Sequence, residues 1–516
     1  METPRQREEK EKIENKKYIK HKKPFLKDME QYLISVDLGS SKVVAALGRR
    51  SVSNETIVVD IVEKPMEGYT RGEITNILQV TNAIDEAVKE LVNNNSVEVD
   101  KVWVSVAGKH VVCTDNSGSI YVGGAGGEVT QKDVDKLNDN MHNVQAPEGK
   151  VILDRITQRF KVDSEETLAS PVGRFGHQLS TTVNFVLGSK SVLDRISNAF
   201  GRIGIESVNF VSGAIASGMV VASDEEKEAG VVVVDLGAGT TDLCIIQNKI
   251  VRYVASIPIG SGIINNDIRT MGIPANRIEK LKTKCGYATA SAIPDDKLNC
   301  SIKINTHSQH QKSKEITYRD LTTIIEARML DIIGFVIDEI KFSGYHDKLA
   351  GGIILTGGGS KLNGIETLFS ERTGRDVRTS GAEQNISFSS TDKAYEPRFA
   401  TSVGLLEVGI AQSDIEPYNE DEEFVEEKPE EKTPENSKEE NTTEEVTPKT
   451  KEEEVKEKNE DPKEEDEKKD NKEPEEKDDE KEKKKGSLKG FFSKLGKNTK
   501  KKFEDIFFGD VVDDNI

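Results

Sequence analysis

The stretch VVVVDLGAGTTDLCII, residues 231–246, decides how this chain is read. A continuous β-branched run ends in a short glycine turn and is followed at once by a second apolar run. Strands buried on both faces read this way, as unbroken Val/Ile/Leu segments. Gly237 and Gly239 let the backbone approach a ligand closely, and the successive N–H groups of such a turn form an anion-binding nest. Thr240 and Thr241 add hydroxyl donors. Asp235 does not bind phosphate, but a carboxylate there can hold the Mg²⁺ that accompanies a nucleotide, often through water.

About two hundred residues earlier, ISVDLGSSKVVAAL (34–47) repeats the pattern. Here Asp37 is the metal-side carboxylate, Gly39 allows the close approach, Ser40 and Ser41 are donors, and Lys42 offers a charge to phosphate. An ordinary glycine hairpin between buried strands explains either turn alone. A third segment weighs against coincidence: AGGIILTGGGSKLNGIETLF (350–369) reads as strand, triple-glycine turn and helix. Gly357, Gly358 and Gly359 would bring backbone to a ligand at a helix start, with Ser360 near the N-cap.

Composition separates this folded part from the rest. Charged residues make up 32% of the 516, and mean hydropathy is −0.55. Residues 411–485 hold 33 acids against 16 lysines, so most of the net charge of −20 belongs to a spacer. No apolar residue occurs between Val455 and Leu488. Such a segment cannot offset its ordering entropy and is expected to be disordered, spanning about 45–50 Å as a coil. Residues 1–30 read as a basic, disordered arm without the apolar core of a signal peptide. Four cysteines with no CxxC pair fit a reducing compartment. No apolar run reaches the length of a spanning helix, and no aromatic–basic interleaving supports nucleic-acid binding.

Between residues 31 and 410, β-branched runs alternate with amphipathic patterns, as in α/β proteins. ITNILQVTNAIDEAV predicts a helix with an apolar stripe of Ile74, Ile77, Leu78, Ile84 and Val88, broken by Thr81. Trp103 in KVWVSV reads as a strand core residue. His307 and His310 lie in a polar loop without metal-site spacing.

The last thirty residues differ again. On a helical wheel Leu488, Phe491, Phe492, Leu495, Phe503 and Ile506 share one side, with Phe507 at its edge. Lys494, Lys497 and Lys501 lie opposite, flanked by Lys500. Aromatics against lysines predict an in-plane helix drawn to anionic lipid, each basic residue contributing about 1 kcal/mol. Docking of this helix on protein is the alternative.

The order of the three glycine motifs resembles the actin, sugar-kinase and DnaK-type ATPase superfamily, whose two related halves each present one hairpin to a nucleotide. EKEAGVVVVDLGAGTTDL, SVAGKHVVC and EPRFATSVGLLEVG narrow the resemblance to the bacterial cell-division FtsA family over about residues 31–410, and GSLKGFFSKLGKNTKKKFEDIFF is similar to that family's membrane-targeting helix. The resemblance implies ATP and Mg²⁺ as ligands. It assigns Asp37, Gly39, Ser40, Ser41 and Lys42 to the first phosphate hairpin, and Asp235, Gly237, Gly239, Thr240 and Thr241 to the second. Glu279 and Lys282 in RIEKLKTKCG would face the ribose and adenine, and Gly357–Ser360 would close over the base.

It also implies an organisation. The first half covers 31–91 and 176–225, around an inserted family-specific subdomain at 92–175. The second half covers 226–410, with an FtsZ-binding subdomain at about 265–345. The acidic linker (411–485) and membrane helix (486–516) follow. The function implied is polymerisation at the cytoplasmic side of the inner membrane, tethering of FtsZ filaments at the division septum, and recruitment of other division proteins. Ser40 replaces a commoner Thr and Ala238 a commoner Gly, and the spacer is longer than usual for the family. No group to orient a hydrolytic water is evident in GSKSVLDRISNAFG, where Asp194 reads as a surface residue. The nucleotide is therefore expected to act as a conformational and polymerisation ligand, with at most slow turnover. Two other readings compete: a sugar-kinase-like phosphotransferase, which would need a general base, and a pilus-assembly relative, which usually lacks the terminal helix.

Overall fold

A computed structural model describes residues 32–413, apart from 124–126, 169, 305–313 and 389–391. The basic arm, the spacer from residue 414, the amphipathic C-terminal segment, His307 and His310 lie outside the described residues.

The chain opens with three antiparallel strands, β1 (Tyr32–Leu38), β2 (Lys42–Arg50) and β3 (Thr56–Pro65). Helix α1 (Ile77–Asn95) crosses to β4 (Lys101–Val106), which lies parallel to β1. Then follow β5 (Val112–Tyr121), α2 (Gln131–His142), β6 (Lys150–Val162), β7 (Glu165–Thr167) and β8 (Gln178–Ser189). These four strands make a separate sheet in the order β5-β8-β6-β7. Helix α3 (Lys190–Gly201) returns the chain to the first sheet at β9 (Ser207–Ser212), parallel to β4, and α4 (Gly213–Val221) follows.

The second half repeats the scheme. Strands β10 (Val231–Leu236), β11 (Thr241–Gln247) and β12 (Ile250–Ile257) are antiparallel. After α5 (Ala275–Cys285) and the long α6 (Tyr318–Phe342), β13 (Ile353–Thr356) runs parallel to β10. Helix α7 (Ile365–Thr373), β14 (Val377–Thr379), β15 (Ile386–Phe388) and α8 (Ala400–Ala411) complete it. The sheet orders are β9-β4-β1-β2-β3-β15 and β12-β11-β10-β13-β14. Without the edge strand β15 the two orders are equivalent, with an antiparallel triplet followed by two parallel strands. The two related halves expected from the repeated hairpin are thus present as one topology used twice, with a small α/β insert in the first.

All six residues of β10 are buried, as the β-branched run requires. Helices α4 and α8 pack between the halves on small residues. A Cβ at Gly404 of α8 would collide with the Ala216 carbonyl of α4, and one at Gly409 would approach Leu33 Cδ1 to 2.7 Å. Ser35 of β1 donates to the Ser402 carbonyl at 2.7 Å, pinning α8 to the first sheet.

Three sequence expectations shift. The apolar stripe of α1 is rotated: Leu78 is exposed, and Val80, Ile84, Ala87, Val88 and Leu91 are buried. Asn76 caps the helix by accepting from Leu78 N and Gln79 N, so Ile74 falls before it, paired with Tyr69 in a two-residue hairpin. The inserted sheet begins at Val112 rather than near residue 92, and it ends at Ser189 rather than 175. The cause is β8, which pairs antiparallel with both β5 and β6 and so belongs to the insert. Finally, the triple glycine does not open an α-helix. A single 3₁₀ turn spans Gly358–Lys361, and α7 starts at Ile365 after Gly364, whose φ is +76°. Ser360 therefore sits within that turn, its hydroxyl donating to the Gly357 carbonyl at 2.8 Å. Trp103 is buried in β4, as expected.

Candidate nucleotide site

The two hairpin turns meet. Gly239 at the tip of β10–β11 has no room for a side chain, because a Cβ there would run into Ser40 Oγ of the β1–β2 turn and lie 3.1 Å from Arg71 N. Arg71 N also donates to Ser40 Oγ at 3.1 Å. The third motif joins at the same place: a Cβ at Gly357, whose φ is +81°, would collide with Asp235 Oδ1. Segments 37–40 and 235–240, far apart in sequence, thus converge on one cleft, and Gly357 packs against Asp235 beside it, although residues 357–360 do not line it.

That cleft is lined by Asp37, Gly39, Ser40, Asp235, Gly237, Ala238, Gly239 and Thr240 from the hairpins. Tyr69, Gly72, Ser105, Asp242 and Thr401 also line it, and none of them belongs to the expected site. Each carboxylate has its own support. Ser105 Oγ on β4 donates to Asp37 Oδ1 at 2.7 Å and accepts the Leu38 N–H at 2.9 Å. Thr401 Oγ1, in the first turn of α8, donates to Asp235 Oδ2 at 2.6 Å. Asp242 stands directly across the ladder from Asp235 and accepts from Thr240 Oγ1 at 2.8 Å and from Ser256 Oγ.

Three carboxylates on one cleft floor repel each other, and burial disfavours their ionised forms. Burial pushes the Asp235 pKa up to about 6, with the nearby Asp37 charge adding to the shift and Thr401 and Lys42 opposing it. Asp242 is pushed up to about 7 by burial and then by Asp235, against its bonds from Ser256 and Thr240. Asp37 is also raised by burial, with Ser105 and Lys42 countering. Among the described residues no three acidic, His or Cys side chains converge as a ready-made cage for a metal ion. A hard cation here would draw on a few carboxylates, water and phosphate oxygens together, which suits Mg²⁺.

The remaining expected residues occupy different places. Lys42 Nζ reaches away from the turn, 3.3 Å from Glu63 Oε2 and 3.3 Å from the Arg398 carbonyl, over the Phe399 ring. Burial lowers its pKa, and Glu63 counters. The Ser41 carbonyl accepts from Met66 N, and its side chain is exposed outside the cleft lining. Thr241 Oγ1 donates to the Ile259 carbonyl at 2.8 Å, in the strand layer. Glu279 and Lys282 pair on α5 at 2.8 Å. They connect to the second hairpin indirectly: Asn265 donates to Glu279 at 2.7 Å and follows Ser261 and Gly262, whose N–H groups bond the Gly237 and Ala238 carbonyls. Asp194 is an exposed residue of α3, 3.5 Å from Lys190.

Comparison with known proteins matches this arrangement to one family. The family description "Cell division protein FtsA" fits residues 232–404, and "SHS2 domain inserted in FTSA" fits residues 108–187, which covers most of the extra sheet. The chain is similar to the cell division protein FtsA of Neisseria meningitidis serogroup B, 30% identical over 383 residues, covering 74% of this chain and 91% of that protein. It is similar to the Escherichia coli K12 protein of the same name at 26% over 385 residues, covering 73% and 90%. Among solved structures, a PilM–PilN type IV pilus biogenesis complex is similar with a TM-score of 0.50 at 14% identity, covering 73% of this chain and 98% of that one. A likeness at that identity speaks to fold alone.

Proposed function

The chain belongs to the cell division protein FtsA family, and from that premise we propose that it is an ATP-binding adaptor that polymerises on the cytoplasmic face of the inner membrane and anchors FtsZ filaments there. The fold is that of the actin-like ATPases, and a role in cell division follows from the family. One observation supports the nucleotide part most strongly. Two glycine turns from related halves touch at Gly239 and Ser40, above the three carboxylates of Asp37, Asp235 and Asp242. The missing Cβ atoms let phosphate oxygens approach the backbone N–H groups of Gly237 and Gly239, while the Gly39 N–H closes its own turn on the Lys42 carbonyl at 3.0 Å. Asp37 and Asp235 would hold Mg²⁺, mainly through water, with Asp242 behind them. When bound, the ion offsets the charge of the carboxylates and of the triphosphate. Ser105 and Thr401 hold Asp37 and Asp235 in place by donating to them, so little reorganisation is needed on binding.

The membrane part of the proposal rests on the aromatic and lysine faces of residues 486–516, with the acidic spacer setting the filament's distance from lipid. Among the described residues no helix is long and apolar enough to cross a membrane. Family resemblance supports an FtsZ contact at about residues 265–345. A pilus-assembly role draws only on the fold likeness at 14% identity.

Co-sedimentation of the full chain with FtsZ filaments and anionic liposomes, with Mg-ATP, tests the proposal. The full chain should bring FtsZ to the lipid pellet, and a chain lacking residues 486–516 should not. Equal recovery of FtsZ with both chains would contradict the tether.

A further inference from the structure

The hydroxyl of Tyr69 has no hydrogen-bond partner among the described residues, although the residue is only 2% exposed. Buried phenols normally find an acceptor, because an unpaired polar group in the interior forfeits its bond to water. Tyr69 lines the cleft between the two hairpins, among Asp37, Ser40 and Asp242.

Its placement is built into the backbone. Tyr69 and Ile74 pair in a short hairpin whose two-residue tip is Arg71 and Gly72, with φ of +53° and +85°. Positive φ at both tip residues is the signature of the tight I′ turn. The tip is wedged into the site: Arg71 N bonds Ser40 Oγ, and a Cβ on Gly72 would collide with the Ala107 carbonyl. The same turn that buttresses the first phosphate loop therefore delivers the phenol.

We infer that Tyr69 is a nucleotide-binding residue whose phenol donates a hydrogen bond to an oxygen of the bound polyphosphate. The chemistry suits the position. A buried phenol stays protonated at neutral pH, so it offers a donor without adding a charge. An anionic phosphate oxygen supplies the acceptor that the protein lacks. This inference rests on the reading of the cleft as a nucleotide site.

Calorimetric titration of Mg-ATP into the full chain and into Tyr69→Phe, with thermal melting of both in the absence of nucleotide, tests it. Phenylalanine keeps the ring and its packing and removes only the hydroxyl. The expected result is affinity about tenfold weaker, with a melting temperature equal to or above that of the unchanged protein. Unchanged affinity would overturn the inference. So would a lower melting temperature accompanying the weaker binding, since the hydroxyl would then have a structural partner. If the unchanged protein itself fails to bind Mg-ATP, the nucleotide reading falls with it, and that outcome is distinct from the other two.

Discussion

At the residue scale the site is a problem of charge. Asp235 and Asp242 face each other across one ladder, and like charges placed so are destabilising. A carboxylate whose pKa is raised in the folded state contributes stability below its unfolded pKa, near 4, and loses that contribution as pH rises through the folded value. For Asp235 this window runs from about 4 to about 6. Asp235→Asn keeps an acceptor for Thr401 and removes the charge. Urea unfolding without nucleotide should therefore show the variant near the unchanged protein at pH 4 and more stable by about 2–3 kcal/mol at pH 8. Equal stability at both pH values would contradict the assigned electrostatics. Gly239 tests the steric side: Gly239→Ala forces the turn off Ser40 and should weaken Mg-ATP binding at least tenfold, measured by calorimetry. Binding as tight as in the unchanged protein would show that the contact between turns is dispensable. Asp235, Gly237 and Gly239 were legible in sequence because their signal is local, a glycine turn between buried strands. Tyr69, Ser105 and Thr401 were not, since long-range packing brings each from an element with no motif of its own.

At the element scale, α8 couples the halves. Its N-terminal turn gives Thr401 to Asp235 in the second half, while Ser402 is held by Ser35 of the first. The contact with α4 is a backbone approach, with Gly404 against the Ala216 carbonyl. A larger residue at 404 must separate the two helices, and overpacking of this kind costs about 1–3 kcal/mol. Gly404→Val should lower the melting temperature by several degrees and reduce the further rise that Mg-ATP produces. A variant that loses stability yet keeps the full ATP-dependent rise would separate α8 from the site. The segment EPRFATSVGLLEVG pointed to a family from sequence, but its small residues gave no hint that they are a seam between sheets. Element boundaries were read less well than element types. The phase of α1 follows its Asn76 cap rather than the longest apolar stripe, and β8 joins the insert because it has partners on both edges.

At the scale of the whole molecule, a duplicated half-fold explains why the chain carries the same acid-bearing turn twice. Each strand triplet aims its first turn at the common cleft, so under the proposed function one polyphosphate would be approached from both sides. The sheet orders of the two halves were beyond sequence reading, since pairing of distant strands leaves no local trace, whereas the repeated hairpins already implied two related halves. The claim on which the rest depends is that these turns grip a metal-bound nucleotide. A crystal of the full chain grown with Mn²⁺ and a non-hydrolysable ATP analogue tests it most directly. The predicted result is an anomalous peak beside Asp37 and Asp235, with triphosphate density running between residues 39–40 and 237–240. A nucleotide bound elsewhere, or a cleft without density at saturating ligand, would contradict it.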